Sequence, residues 1–312
     1  MVSYLITGGA GFIGYSLAKA LDKKGASITI LDTPEKIRKT TIDKKFTVIA
    51  GDIAKRDTFD DLPKGRTFDA VLHLAAQTSA RISQEMPEMD IDTNGRGTML
   101  LVDWCLKNGI DRILYSSSMA VYGDPEVLPV TEKTSLAPVS HYGVSKLTGE
   151  YYIKAASKLG LKHTIFRLFN VYGPGQDMSN LKQGMISIYL AYVMNGQTIP
   201  VTGSLDRFRD FIYIDDVVNA WVIALHDEKF YNRTYNLGTG VKTTVREAID
   251  MIISAYGYDE KTYPVKEVEG HTGDQFGLVS DSTIFASESG WKPEVSVSEG
   301  VSRMVKWVKP VR

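Results

Sequence analysis

The chain has 312 residues, enough to bury a large core in one α/β domain or in two closely joined lobes. Its charges nearly cancel, 36 Lys+Arg against 37 Asp+Glu with no long basic block, which argues against a nucleic-acid partner and leaves a phosphorylated small molecule open. One cysteine excludes an internal disulfide framework and a Cys-based metal cluster, and none of the five histidines falls in a HExxH or HxH arrangement, so no metal site is expected. Cys105 lies in the apolar stretch 99–106 and reads as a buried structural thiol.

The N-terminus, MVSYLITGGAGFIG, has no basic leader and runs directly into a strand and a glycine turn. No apolar run is long enough to span a bilayer, so a cytoplasmic protein with no membrane partner is expected. Through the first two-thirds, short apolar β-branched runs alternate with longer amphipathic segments. The pattern predicts strands at 4–7, 27–31, 47–50, 70–74, 112–116 and 163–168, with helices at 13–24, 93–108 and 142–159. Such alternation implies right-handed βαβ units and an α/β fold built on a Rossmann-type doubly wound parallel sheet. The strands read as continuous apolar runs, as expected for strands covered on both faces.

After about Asn170 the rhythm changes. A Gly/Pro/Asn-rich loop at 172–180 leads to helices at 184–195 and 244–256 and to a terminal amphipathic helix at 296–308, set among short strands. The expected division is a dinucleotide-binding domain over 1–169, with a returning segment near 209–237, and a smaller α/β substrate lobe made of 170–208 and 238–312.

Thr7-Gly8-Gly9-Ala10-Gly11-Phe12-Ile13-Gly14 joins the first strand to the first helix. Glycines there permit a tight turn, close approach of backbone to a pyrophosphate and close packing of helix on strand, while the helix start offers unpaired N–H groups. Gly8, Gly11, Phe12 and Ile13 are therefore candidate cofactor contacts. Asp32 ends the next strand, near the ~20-residue offset of the acid that binds adenosine ribose hydroxyls. A carboxylate there repels a 2′-phosphate and favours NAD over NADP, an inference that Lys36, Arg38 and Lys39 soften. The alternative for Asp32 is a turn residue before Pro34.

Tyr142-Gly143-Val144-Ser145-Lys146 sets a tyrosine and a lysine four apart at a helix start, on one face. A phenol titrates near pKa ~10, too high for a neutral-pH base, and a nearby ammonium and a positive nicotinamide ring both favour the phenolate. The pair follows Tyr115-Ser116-Ser117-Ser118-Met119-Ala120-Val121-Tyr122-Gly123, a serine cluster at the C-terminal end of a strand, where open α/β sheets bind ligands. Ser118 is placed to hydrogen-bond a reacting hydroxyl and share its proton with Tyr142.

These residues resemble the extended short-chain dehydrogenase/reductases, in the NAD-dependent nucleotide-sugar epimerase and dehydratase branch, essentially end to end. The likeness runs through Thr7–Gly14, Gly51-Asp52-Ile53, His73-Leu74-Ala75-Ala76, Asn94-x-x-Gly97-Thr98, Ser118 with Val121-Tyr122-Gly123, and Tyr142-x-x-x-Lys146. It continues in Arg167-Leu168-Phe169-Asn170-Val171-Tyr172-Gly173-Pro174, Arg209-Asp210-Phe211, Asn236-Leu237-Gly238 and Gly290-Trp291-x-Pro293. The resemblance implies NAD as cofactor and Ser118, Tyr142 and Lys146 as catalytic residues, Lys146 also holding the nicotinamide ribose. By the same resemblance Asp52 and Ile53 contact the adenine, and Leu74, Ala75 and Ala76 pass beside the cofactor phosphates and ribose. Asn94 then supports the active-site end of its helix, and Asn170 and Arg209 contact the substrate, the arginine at the diphosphate. For Asn170 the alternative is loop capping; for Arg209 it is a surface ion pair with Asp206 or Asp210. The family also implies a homodimer formed through the helices at 93–108 and 142–159.

Members of the family oxidise the sugar at C4 and then diverge. Dehydratases carry an Asp-Glu pair just after the serine position, and decarboxylating members a Glu at the second place; here Met119-Ala120 stands there, and neither can move a proton. One base and one hydride acceptor suit C4 epimerisation of a nucleotide sugar. A net C4 dehydrogenase and a non-catalytic dinucleotide-binding relative are the alternatives, the intact Ser118, Tyr142 and Lys146 arguing against the second. His271 departs from the family, which usually has an arginine there for the substrate diphosphate. His141 replaces a more usual proline and reads as a solvent-facing loop residue.

Overall fold

The computed structural model describes residues 1–270 and 275–309. Seven strands form one sheet: β1 (Ser3–Thr7), β2 (Ser27–Asp32), β3 (Thr47–Ala50), β4 (Ala70–His73), β5 (Arg112–Ser118), β6 (Lys162–Leu168) and β7 (Arg233–Leu237). Their order is β7-β6-β5-β4-β1-β2-β3. β1 is parallel to both β2 and β4, β2 to β3, and β4 to β5. All six strands expected from the sequence form. The seventh, Arg-Thr-Tyr-Asn-Leu, has too mixed a polarity to read as a strand alone; its place beside β6 at the sheet edge makes it one. Leu5, Ile6, Val71, Leu72, Ile113 and Leu114 are wholly buried, as continuous apolar strands under cover on both faces require.

Helices of ten or more residues are α1 (Phe12–Asp22), α2 (Gly97–Lys107), α3 (His141–Ala156), α4 (Met185–Met194), α5 (Ile214–Leu225), α6 (Val245–Tyr256) and α7 (Val297–Val308). The helix expected from residue 93 begins as α-helix only at Gly97, because Asp92–Arg96 winds as a π-turn. Such turns widen a helix to place a side chain, here the buried Asn94.

From β1 the sheet grows one way through β2 and β3 and the other way from β4 onward, so the chain ends of β1 and β4 border a topological switch point. Thr7 and His73 are paired there. His73 is wholly buried, its Nδ1 2.7 Å from Thr7 Oγ1 and its Nε2 2.9 Å from Thr98 Oγ1. Burial, with the Lys146 charge adding to it, pushes the imidazole down to about 3, so a neutral ring bridges β1, β4 and α2 beneath the glycine turn. Cys105 is buried in the apolar cluster behind α2, and that burial raises its thiol far above the ordinary range.

Two compact units emerge from the contacts. One comprises 1–121, 140–167 and 218–235; the other comprises 122–139, 168–217 and 236–312. These bounds differ from the division read in the sequence at two places, and the backbone shows why. Val130 N–H donates to Val279 O at 2.9 Å and Val130 O accepts from Asp281 N–H at 2.8 Å, which ties 122–139 into the second unit. Phe211–Tyr213 pairs in parallel with Asn170–Tyr172, so 209–217 stays there too. In that unit α6 packs on α4 and α7, and the Asp216 carboxylate accepts from the N–H groups of Glu294 and Val295 at 3.0 and 3.2 Å.

Candidate active site

The turn after β1 is possible because of glycine. Gly8 has φ +70°, and a Cβ there would lie 2.6 Å from Ala75 N; Gly14 packs against the Gly8 carbonyl too closely for any side chain. Gly11 caps α1 with no side-chain acceptor, so the N–H groups of the first turn, at Phe12 and Ile13, are open to a ligand. Asp32 braces this loop: its Oδ2 accepts from Ala10 N–H at 3.0 Å and its Oδ1 from Thr33 N–H at 2.8 Å. Burial raises its carboxyl above the ordinary value, the two N–H groups and Lys36 pulling back. Of the three nearby cations, Lys39 is paired with Glu35 at 2.7 Å. Ala75 and Leu74 follow β4, the Leu74 N–H donating to Thr7 O at 3.0 Å. Asp52 Oδ1 accepts from Ala54 N–H at 3.0 Å, and Ile53 is buried against Gly97. A bare turn, open N–H groups at a helix start and an acid ending β2 fit a dinucleotide diphosphate and its ribose.

Ser118 is the last residue of β5, and Tyr142 is the second of α3, whose N-cap Ser140 accepts from Gly143 N–H at 3.1 Å. Ser118 and Tyr142 are hydrogen-bonded to each other, and Ser118 Oγ also accepts from Ala120 N–H at 3.2 Å. Lys146, one turn on, is buried with Nζ 4.4 Å from the centre of the Tyr115 ring. Burial pushes Tyr142 up to about 12; the Ser118 bond lowers it and the Asp90 charge raises it further. Burial also pushes Lys146 down to about 7, against the pull of Asp90 and Glu150. The ammonium expected to lower the phenol is not among the groups that shift it; burial is the largest influence on both side chains. Phenolate formation at neutral pH therefore needs a further positive charge.

Asn94 supports this pair as the resemblance implies, together with Ser145 and Glu150, which the sequence did not single out. Asn94 Nδ2 donates to Ser145 Oγ at 3.0 Å and to Gln77 O at 2.9 Å, and Asn94 Oδ1 accepts from Gln77 N–H at 2.9 Å. Ser145 donates to Tyr142 O at 3.0 Å. Glu150 is wholly buried one turn after Lys146 and is held by Arg167, Lys154 and Ser117. The spacing 142, 146, 150 on one helix face, and 90 with 94, is the sequence signal that points to them.

The remaining candidates lie in the second unit. Asn170 Nδ2 donates to Asp210 O at 3.1 Å, so the loop-capping role is present. Arg209 is buried, and its guanidinium donates to the carbonyls of Phe208, Phe276 and Gln275 at 2.7, 3.1 and 3.1 Å. Asp210, read as a possible partner of that arginine, gives its carboxylate instead to Thr239, Gly240 and Ser280. His271 lies outside the described residues. His141 is the first residue of α3 and not a loop residue; it is exposed, and its Nδ1 is 3.0 Å from Ser83 O.

A doubly wound sheet with a glycine turn at its switch point and a Ser/Tyr/Lys group on its rim is the arrangement of a short-chain dehydrogenase/reductase. Residues 4–238 match the sequence model of the NAD dependent epimerase/dehydratase family, and the chain belongs to that family. It is 37% identical over 308 residues, 98% of each chain, to a Methanocaldococcus jannaschii protein provisionally named a UDP-glucose 4-epimerase. It is similar to the crystal structure of a Thermotoga maritima UDP-glucose 4-epimerase with UDP-glucose, at 31% identity and TM-score 0.89 over 98% of each chain. A Streptomyces venezuelae dTDP-glucose 4,6-dehydratase solved with NAD matches at 26% identity and TM-score 0.88, over 98% of this chain and 96% of that one. Backbone likeness thus spans both reactions.

Proposed function

We propose that the chain is an NAD-dependent nucleotide-sugar 4-epimerase, which oxidises C4 to a 4-keto intermediate and returns the hydride to the opposite face. The observation that carries this reading is a single proton carrier. Tyr142 is bonded to Ser118, and the next two positions, Met119 and Ala120, hold nothing that can expel water or assist decarboxylation. NAD, when bound, would supply the hydride acceptor and a positive charge that favours the phenolate. Gly8, Gly11, Phe12 and Ile13 would hold its diphosphate, Asp32 its adenosine ribose, and Asp52, Ile53 and Leu74–Ala76 its adenine side. Tyr142 takes the C4 hydroxyl proton and later gives it back, Ser118 orients that hydroxyl, and Lys146 holds the nicotinamide ribose. For the second unit we propose substrate contacts at Asn170, Arg209 and His271.

Purified protein is to be incubated with UDP- and GDP-sugars without added cofactor, starting with UDP-glucose because the relatives are named for it. Mass spectrometry and NMR should find product of unchanged mass with inverted C4. A product lighter by two hydrogens, formed only with an oxidant for NADH, would replace the epimerase with a C4 dehydrogenase.

A homodimer is part of the proposal. Val144, Tyr151 and Tyr152 are exposed at 46%, 57% and 42% along α3, an apolar stripe at helical spacing on a helix through which the family pairs. Light scattering should give twice the chain mass; a monomer at micromolar concentration would count against it. No helix among the described residues is long and apolar enough to cross a membrane, and the proposal places the enzyme in the cytoplasm.

A further inference from the structure

Asp90, in the short helix Pro87–Ile91, is wholly buried. Its Oδ1 accepts from Gln77 Nε2 at 2.7 Å and from Asn94 Nδ2 at 3.3 Å, while its Oδ2 is buried with no hydrogen-bond partner. Packing alone gives no reason for a carboxylate here, because a buried charge with one oxygen unmet is costly and an amide or apolar side chain would avoid the cost.

Its surroundings indicate what the charge serves. Through Asn94 Nδ2 and Ser145 Oγ, at 3.0 Å, Asp90 is connected to the turn of α3 that lies between Tyr142 and Lys146. The charged and titratable groups that act on or feel Lys146 are Asp90, Glu150 of α3 and His73 of β4, with the Tyr115 ring of β5 beneath its Nζ. Those that act on or feel Tyr142 are Ser118 and Tyr115 of β5 and, again, Asp90. Glu150 is already committed to Arg167, Lys154 and Ser117. Asp90 is the acidic group whose influence reaches both members of the pair.

We propose that Asp90 is a positioning residue for the Tyr142/Lys146 pair: its carboxylate holds their turn through Asn94 and Ser145 and acts electrostatically on both side chains. The kinetic part of this inference rests on the epimerase reading. A fixed negative charge favours the protonated form of both groups, supporting the Lys146 ammonium against burial and opposing the Tyr142 phenolate. Removing it lets both release protons at lower pH.

The test uses the full chain with NAD, comparing wild type with D90N, D90S and S145A. Two readouts are taken: the pH profile of epimerisation, and the titration of Lys146 by NMR of 13Cε-lysine, assigned with K146R. In D90N or D90S both limbs of kcat/KM and the Lys146 midpoint are expected to move to lower pH by roughly one unit. S145A keeps the charge and cuts the relay, so kcat should fall several-fold with the limbs in place. A folded neutral variant with limbs and midpoint at their wild-type values overturns the proposal. So does an S145A enzyme with unchanged kcat, or failure of both neutral variants to fold while D90E folds. If wild type shows no epimerisation, the functional reading fails, and the Lys146 midpoint still decides whether Asp90 sets its charge.

Discussion

Tyr142→Phe is expected to lower kcat by roughly 10²–10⁴-fold, the range for removing a general acid–base group, with KM little changed and NAD still bound. Phenylalanine keeps the ring and removes only the hydroxyl that is bonded to Ser118. That hydroxyl is the atom proposed to exchange a proton with the sugar, so its loss should act on the chemical step and leave nucleotide binding alone. Burial pushes the phenol up to about 12, so the protein by itself retains the proton and the rate should rise with pH across the acid limb. The same reasoning makes Ser118→Ala milder, because it leaves the base in place. A Y142F enzyme with kcat within tenfold of wild type would remove Tyr142 from the mechanism.

Glu150→Gln is expected to cost about 3–5 kcal/mol of stability, read as a lowered melting temperature, because it leaves the buried Arg167 guanidinium without its counter-charge. The wild-type carboxylate accepts from Arg167 Nε at 2.9 Å and Nη2 at 2.8 Å, from Ser117 Oγ at 2.6 Å and from Lys154 Nζ at 2.8 Å. Burial alone would raise its carboxyl, but the bonds and charges of Arg167 and Lys154 win and hold it down at about 2. The unfolded chain then binds a proton more readily than the folded one between the ordinary glutamate value of about 4.5 and about 2. Stability contributed by this group is therefore fully present above 4.5 and is lost as pH falls through that window. The amide of E150Q cannot titrate, so the acid-induced fall in melting temperature should be shallower in the variant. Equal pH slopes in the two proteins would show that Glu150 is not held as the structure indicates.

Strand positions were legible because strands covered on both faces carry short, nearly continuous apolar runs, such as 4–6, 70–72 and 113–115. The glycine turn was legible because Gly8 and Gly14 stand where a Cβ would strike backbone. Tyr142 and Lys146 stood out because four residues of helix put them on one face. Sequence resemblance extended this to Asn94, whose amide proves to bond the serine between them.

Other features had no local signal. Arg233–Leu237 becomes a strand by pairing beside β6, and 122–139 joins the second unit through hydrogen bonds to residues some 150 positions away. Burial decided the protonation balance: the spacing of Tyr142 and Lys146 suggested mutual help, but both lie where water is excluded, and desolvation is the largest influence on each. Asp90 is likewise an ordinary acid in the sequence, near Glu88 and Asp92. What the sequence determined by itself was the run of strands and helices, the turn that fits a dinucleotide and the residue types able to move a proton, because these depend on neighbours a few positions apart. Only the tertiary structure decided which charges lost their water and which partners met them, because desolvation depends on everything packed around a group, however distant in the chain.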